Sequence, residues 1–164
     1  MQEDTRFRFL FVSSRCSLRS VLAVSCMHFV AAHRFSAFAC GQPGRVASEV
    51  HPAAFEALQL AGMDAPAVAP IAWDAFRRMG APRIDFVISL DAHLESPAWP
   101  GQPETAVWNY PDLLASDSAE PLVHRATTTL HSLRRRFEIL ANLPMRAASR
   151  QDLRHDLRDL AYGD

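Results

Sequence analysis

The sequence contains no lysine, because all 17 of its basic residues are arginine. This absence excludes chemistry that needs an amine, such as a Schiff base or the lysine of a Walker-type phosphate loop. The chain also lacks any run of about 18 apolar residues, so we expect no membrane-spanning helix. A net charge of −1 gives no field that would recruit nucleic acid or a membrane surface, and we expect neither partner.

Cysteines are few and do not suit a disulfide framework. The three cysteines, Cys16, Cys26 and Cys40, are odd in number and lack metal-ligand spacing, which favours reduced thiols. The seven histidines show no paired spacing either, so we predict no metal and no cofactor. The N-terminal segment MQEDTRFRF places acidic residues before basic ones, unlike a signal peptide, and this order predicts a cytoplasmic protein.

The chain does contain enough apolar sequence for one folded domain. Its 164 residues are 49% apolar and 21% charged, as in globular proteins. We predict an N-terminal tail (1–6), an α/β domain (7–145) and a C-terminal helical extension (146–164). Because strands and helices alternate, the domain is predicted to be a small doubly wound sheet of four parallel strands with helices on both faces. The expected strands are 7–12, 35–40, 85–90 and 105–109, and the expected helices are 18–32, 51–61, 73–79, 118–143 and 149–161.

The segment that says most about function is FLFVSSRCSLRS, residues 9–20. An apolar strand pattern is followed by small and polar residues and then by an apolar helical pattern. A strand that ends in a tight loop opening a helix points its backbone N–H groups into one concavity, where the helix dipole also favours an anion. Arg19 would supply a bidentate fork for the oxygens of that anion. The predicted oxyanion site consists of consecutive residues: Ser13, Ser14, Arg15, Cys16, Ser17, Leu18, Arg19 and Ser20.

This loop and three later blocks resemble the low-molecular-weight protein tyrosine phosphatases and the thioredoxin-coupled arsenate reductases that share their fold. The loop has the spacing of their Cys-x5-Arg-Ser motif, with Ser13 at the cysteine position. The blocks follow the family's order over roughly residues 7–145, which implies the family's fold. The later blocks are Phe35 to Gly41 followed by Val50-His51-Pro52, then Gly62-Met63-Asp64 with Ala72-Trp73-Asp74, and finally PAWPGQPETAVWNYPD at 97–112.

The resemblance implies roles for three residues. In these enzymes a thiolate attacks phosphorus or arsenic, the loop amides and the arginine stabilise the equatorial oxygens, and an aspartate protonates the leaving oxygen. By position, Ser13 stands at the nucleophile, Arg19 is the oxyanion clamp and Asp112 is the general acid. A serine hydroxyl is far less ionised than a thiol at neutral pH, and the motif offers Ser13 no general base. The arsenate reductases use two further cysteines around the loop after the third strand, whereas LDAHLESP at 90–97 contains none.

Three functions follow from these patterns. The first, which we favour because all three redox positions are lost, is a pseudophosphatase whose loop binds phosphate, another tetrahedral oxyanion or a phosphorylated protein. The second is an active tyrosine phosphatase or arsenate reductase-type enzyme, working through Ser13 or carrying Ser13 as a cysteine-to-serine trapping change. The third is an interaction module without a ligand. An oligomer formed through the leucine face of the C-terminal helix is a further expectation, and that face consists of Leu153, Leu157 and Leu160.

Some individual residues have two interpretations. Asp112 acts either as an acid or as the cap of a turn. Cys16 is predicted to be a neutral loop thiol and not a displaced nucleophile, because it is too close in sequence to Arg19 for in-line geometry. The arginine run 134–136 is expected on the solvated face of a helix. Aromatic residues either line the rim of the anion pocket or pack as a lid, namely Trp99, Trp108 and Tyr110.

Overall fold

The computed structural model describes residues 6–66, 69–114, 119–143 and 150–162. Its centre is a four-stranded parallel sheet with the spatial order β2-β1-β3-β4. The predicted doubly wound sheet is therefore confirmed, and the ends of the third and fourth strands differ from the prediction by one or two residues. The strands are β1 (Phe7–Ser13), β2 (Phe35–Gly41), β3 (Phe86–Ser89) and β4 (Glu104–Val107).

The described residues also form four α-helices: α1 (Arg19–Ala31), α2 (Pro52–Leu60), α3 (Leu122–Ala141) and α4 (Arg150–Leu160). The helix predicted at 73–79 is only a 3₁₀ turn, Trp73–Phe76. The predicted helix starts at 118 and 149, the tail residues 1–5 and the predicted domain boundary at 145/146 lie outside the described residues. Within the described ranges, no helix is both long and apolar enough to cross a membrane.

The two faces of the sheet pack against different layers. On one face, Phe9 and Phe11 of β1 join a large apolar core with residues of all four α-helices. On the other face, Leu10 and Val12 pack with Trp73 of the 3₁₀ turn in a smaller core. A parallel strand that is buried on both faces has no polar side to alternate with, which explains the unbroken apolar run in β1.

The C-terminal helix α4 packs against the sheet edge formed by β4. Leu153 and Leu157 are each only 1% exposed and belong to the large core. The indole N–H of Trp108 donates a hydrogen bond to the Leu157 carbonyl at 2.8 Å, and Arg154 pairs with Glu104 at 3.3 Å. These two leucines therefore stabilise the chain's own fold, and self-association through this helix stays a prediction.

Candidate anion-binding site

The predicted loop lies at the carboxyl end of β1, at the centre of the sheet. The chain passes from β1 to its neighbour β2, and then crosses to the other side of β1 to form β3. The connections therefore diverge between β1 and β3, and in open α/β sheets ligands bind outside the carboxyl ends of the strands at such a point. The predicted loop, residues 13–20, and the segment that follows β3 meet there.

The backbone of the loop is held in place from outside. Its carbonyl groups accept hydrogen bonds from the segment after β2: Gln42 N–H to Ser14 at 3.0 Å, Ala47 N–H to Arg15 at 2.9 Å and His51 N–H to Ser17 at 2.9 Å. The C=O and N–H of one planar trans peptide point in opposite directions. The N–H groups of residues 15, 16 and 18 consequently point away from that segment. The Cys16 N–H donates to Ser13 Oγ, and the N–H groups of residues 15 and 18 have the orientation that an anion cradle needs.

Gly41 allows the end of β2 to approach the loop this closely. A Cβ atom at this position would lie 3.1 Å from Cys16 Cβ, from the Ser14 carbonyl oxygen and from Val46 Cγ2. The Gly41 N–H also donates to the Ile71 carbonyl at 2.8 Å, which ties the strand end to the next connection. A side chain here would push against the loop backbone, so the close packing depends on glycine.

Ser13 is enclosed by the loop that it begins. Its side chain is buried, its Oγ accepts the Cys16 N–H at 3.1 Å, and it donates to Ser20 Oγ at 3.2 Å. Cys16 has a left-handed backbone, with φ of +52°, as residues in tight loops sometimes do. Neither partner of the Ser13 hydroxyl is a base, so these contacts do not activate it as a nucleophile.

The Cys16 thiol is buried as well. Burial raises the pKa of the thiol above its usual value, while hydrogen bonds with the Ile71 backbone and the Ser20 side chain act in the opposite direction. Burial thus favours the neutral form of the Cys16 thiol, the form that the sequence predicts. Cys26 and Cys40 are also free and buried.

Arg19 lies inside the site, where it is paired with Asp91. The arginine side chain is 4% exposed, and its Nη1 and Nη2 atoms donate to Asp91 Oδ1 at 2.7 Å and Oδ2 at 2.9 Å. Nη1 also donates to the carbonyl groups of Tyr110 at 2.6 Å and Leu90 at 3.3 Å. The guanidinium is thus fixed by a two-pronged ion pair and two backbone acceptors.

Asp91 also binds the loop backbone directly. Its Oδ2 atom accepts the Ser14 N–H at 2.9 Å, in addition to Arg19 Nη2. This residue was not among the predicted site residues. The available signal was its place two residues after β3, since the carboxyl ends of neighbouring parallel strands meet at one edge of a sheet.

Asp112, the residue at the general-acid position, lies beside the same loop. Its Oδ2 atom is 3.8 Å from Arg15 Nε, and its Oδ1 atom accepts the Leu114 N–H at 3.1 Å. The second contact is that of a turn cap, one of the two roles predicted for Asp112. The ion pair is mostly solvated, with the Arg15 side chain 49% exposed, so it contributes little to stability.

The aromatic residues near β4 serve packing more than a pocket rim. Trp108 is fully buried, and the Arg136 guanidinium lies 5.1 Å from its ring and 4.9 Å from the Tyr110 ring. Arg136 is itself buried, so the expectation that the run 134–136 is solvated is wrong at this position. The rings of Trp108 and Tyr110 face α3, and their cation–π interaction with the guanidinium favours its burial. Trp99 packs edge-on against Trp73 on the other face of the sheet.

Among the described residues, no group of three or more histidine, cysteine, aspartate or glutamate side chains is placed to hold a metal ion. The groups that the structure places at the loop are backbone amides, four serine hydroxyls, one thiol, two guanidinium groups and two carboxylates. Such a set binds and orients an anion.

The chain was compared with known proteins. No protein-family profile and no curated protein matches it. Solved structures do match. An arsenate reductase in its phosphate binding state has a TM-score of 0.66 and 23% identity, over 82% of this chain and 96% of its own. An arsenate reductase from Archaeoglobus fulgidus DSM 4304 has a TM-score of 0.63 and 18% identity, over 81% and 98%.

YfkJ from Bacillus subtilis is also similar, with a TM-score of 0.63 and 17% identity over 90% of this chain and 100% of its own. At these identities the likeness shows the fold. The chain has the α/β fold of arsenate reductases, which is that of the low-molecular-weight tyrosine phosphatases, and the resemblance seen in the sequence blocks is confirmed at this level.

Proposed function

We propose that this protein is a pseudophosphatase, which binds a tetrahedral oxyanion in the loop 13–20 with little or no turnover. The observation that supports it best is the combination found at the loop. The backbone carbonyls of Ser14, Arg15 and Ser17 accept hydrogen bonds from the segment after β2. The Arg19 side chain is buried in the site, and a serine occupies the nucleophile position. A binding loop without its nucleophile keeps affinity for the anion and lacks the step that breaks a bond.

The contacts of Ser13 argue against serine chemistry. A serine nucleophile needs a neighbouring base to remove its proton, as histidine does in hydrolases. The Ser13 hydroxyl instead bonds to the Cys16 N–H and to Ser20, while the carboxylate of Asp91 is bound to Arg19. Asp112, the residue at the general-acid position, faces Arg15.

An arsenate reductase-type reaction is the alternative with the same fold, and the cysteines argue against it. Reduction in that family passes a disulfide along cysteines at the nucleophile and around the loop after the third strand. This chain has neither, and its cysteines Cys16, Cys26 and Cys40 are buried. Burial raises the pKa of all three thiols, which lowers the thiolate fraction that thiol exchange requires.

The ligand in this proposal is phosphate or another tetrahedral oxyanion, either free or carried by a phosphorylated protein. We also propose that the protein acts in the cytoplasm, since its three cysteines are free thiols and form no disulfide. The cradle itself recognises only the anion, because backbone N–H groups and a guanidinium fork select charge and geometry.

Calorimetric titration with inorganic phosphate tests the proposal. We expect saturable binding to the wild-type protein in the millimolar range or tighter, and at least about tenfold weaker binding to Arg19→Lys, which keeps the charge and loses the planar fork. Circular dichroism of the variant checks that it is folded. The expected dissociation constant is about 1 mM. The proposal is refuted if wild type shows no binding at a phosphate concentration about 20-fold above that value. It is also refuted if Arg19→Lys binds phosphate as tightly as wild type.

A further inference from the structure

Asp91 already makes the contacts that an oxyanion would make in this loop. One carboxylate oxygen, Oδ2, accepts hydrogen bonds from the Ser14 N–H and from Arg19 Nη2, both at 2.9 Å. The other oxygen, Oδ1, accepts from Arg19 Nη1 at 2.7 Å. An oxygen shared between a loop amide and the guanidinium is the arrangement expected for an equatorial oxygen of a bound anion.

The charge of the site leads to the same conclusion. Arg19 is 4% exposed and is neutralised by Asp91, so an incoming anion would add a second negative charge to a single buried guanidinium. The other cation of the loop, Arg15, is 49% exposed and is paired with Asp112. If an anion bound while Asp91 stayed in place, the anion and the Asp91 carboxylate would share the Arg19 guanidinium as their one buried counter-charge.

The main chain around Asp91 is fixed, whereas its side chain has a route to solvent. Ser89 Oγ donates to the Asp91 carbonyl at 2.9 Å, and the Leu90 N–H donates to the Val12 carbonyl at 2.8 Å. The Asp91 side chain is 22% exposed. A rotation of this side chain toward water would free both Arg19 and the Ser14 N–H without breaking the sheet.

We propose that Asp91 is an internal competing ligand of the loop, so that an oxyanion binds only when it displaces the Asp91 carboxylate from Arg19 and from the Ser14 N–H. This inference rests on the proposed oxyanion binding. The affinity of the loop for an anion is then reduced by the fraction of molecules in which Asp91 is in place. Ligands with higher negative charge, such as a phosphate dianion, compete better than singly charged ones.

Phosphate titration of Asp91→Asn tests this competition, with Asp74→Asn as the matched control. Asparagine keeps the shape of the side chain and removes its charge. If Asp91 closes the site nine-tenths of the time or more, Asp91→Asn binds phosphate about tenfold tighter than wild type or better. Asp74 is 54% exposed and pairs with Arg77 away from the loop, so Asp74→Asn is expected to stay within about twofold of wild type.

Asp91→Asn that binds phosphate equally or more weakly than wild type overturns the inference, because Asp91 then only positions Arg19. If wild type still binds in an Arg19-dependent manner in that case, the proposed function survives. If neither wild type nor Asp91→Asn binds phosphate in an Arg19-dependent manner, the inference and the proposed function both fail.

A crystal structure of the wild-type protein with phosphate gives a test that does not depend on the variant's folding. The inference expects phosphate in the loop and the Asp91 carboxylate beyond hydrogen-bond distance of Arg19 and Ser14. Phosphate in the loop with both Asp91 contacts intact overturns it.

Discussion

Removing the carboxylate of Asp91 is expected to destabilise the fold, because it leaves the buried Arg19 guanidinium without its counter-charge. Breaking a buried ion pair by removing one partner costs about 3–5 kcal/mol. Arg19 retains two backbone acceptors, the carbonyls of Leu90 and Tyr110, and Asp91 is 22% exposed, so water enters where the carboxylate was. We therefore expect Asp91→Ala to lower the free energy of unfolding by about 2–3 kcal/mol.

Urea unfolding followed by tryptophan fluorescence measures this loss, since Trp108 is buried in the folded chain. For a domain of this length, about 2–4 °C of melting temperature corresponds to each kcal/mol, so the expected fall is about 4–12 °C. Asp74→Ala, at an exposed ion pair, should change stability by less than about 0.5 kcal/mol.

Phosphate should stabilise Asp91→Ala more than wild type, because the anion takes the vacated place beside Arg19. A loss in Asp91→Ala below about 0.5 kcal/mol would show that the Arg19–Asp91 pair contributes nothing net to stability, and would refute this reasoning.

Three further predictions concern other parts of the chain. Leu157→Ala should lower the free energy of unfolding, measured in urea, by about 2–4 kcal/mol. Leu60 is 73% exposed, so Leu60→Ala should lower it by less than about 0.5 kcal/mol. Equal effects of the two variants would show that α4 is not part of the core. Gly41→Ala should cost about 1–3 kcal/mol and weaken phosphate binding, since its Cβ would press on the loop; unchanged binding by calorimetry would contradict this. Burial, and secondarily Arg6, lower the pKa of His28, whose Nε2 accepts the Ala37 N–H at 3.0 Å. As pH drops, His28 is protonated in the unfolded chain before it is protonated in the folded one, so the free energy of unfolding falls below about pH 6.5. In His28→Gln the free energy of unfolding should depend less on pH between about pH 7 and 5.

The sheet could be predicted from the sequence because its strands are strongly marked. Phe9 to Val12 form an unbroken apolar run, which is typical of a parallel strand buried on both faces. The helix α2 was marked by Pro52 at its first position. The helix predicted at 73–79 is a single 3₁₀ turn, because its apolar residues Trp73 and Phe76 pack onto the second face over one turn only.

The candidate site was predicted only in part, since its decisive contact joins distant segments. The loop and Arg19 follow from a local strand–loop–helix pattern. The partner of Arg19 lies 72 positions later in the sequence, and nothing local to Asp91 distinguishes a side chain that turns into the site from one that faces water. The burial of Arg136 was missed for a similar reason, because it depends on two rings from the β4 region.

Turnover of p-nitrophenyl phosphate by the wild-type chain, measured beside Ser13→Ala, tests the central claim most directly. The account predicts that the two proteins are indistinguishable and that neither exceeds the rate without protein. The reason is that the hydrogen-bond partners of the Ser13 hydroxyl in the described part of the chain, the Cys16 N–H and Ser20, are not bases. Clear wild-type turnover that disappears in Ser13→Ala would show that Ser13 is a working nucleophile and would contradict the account.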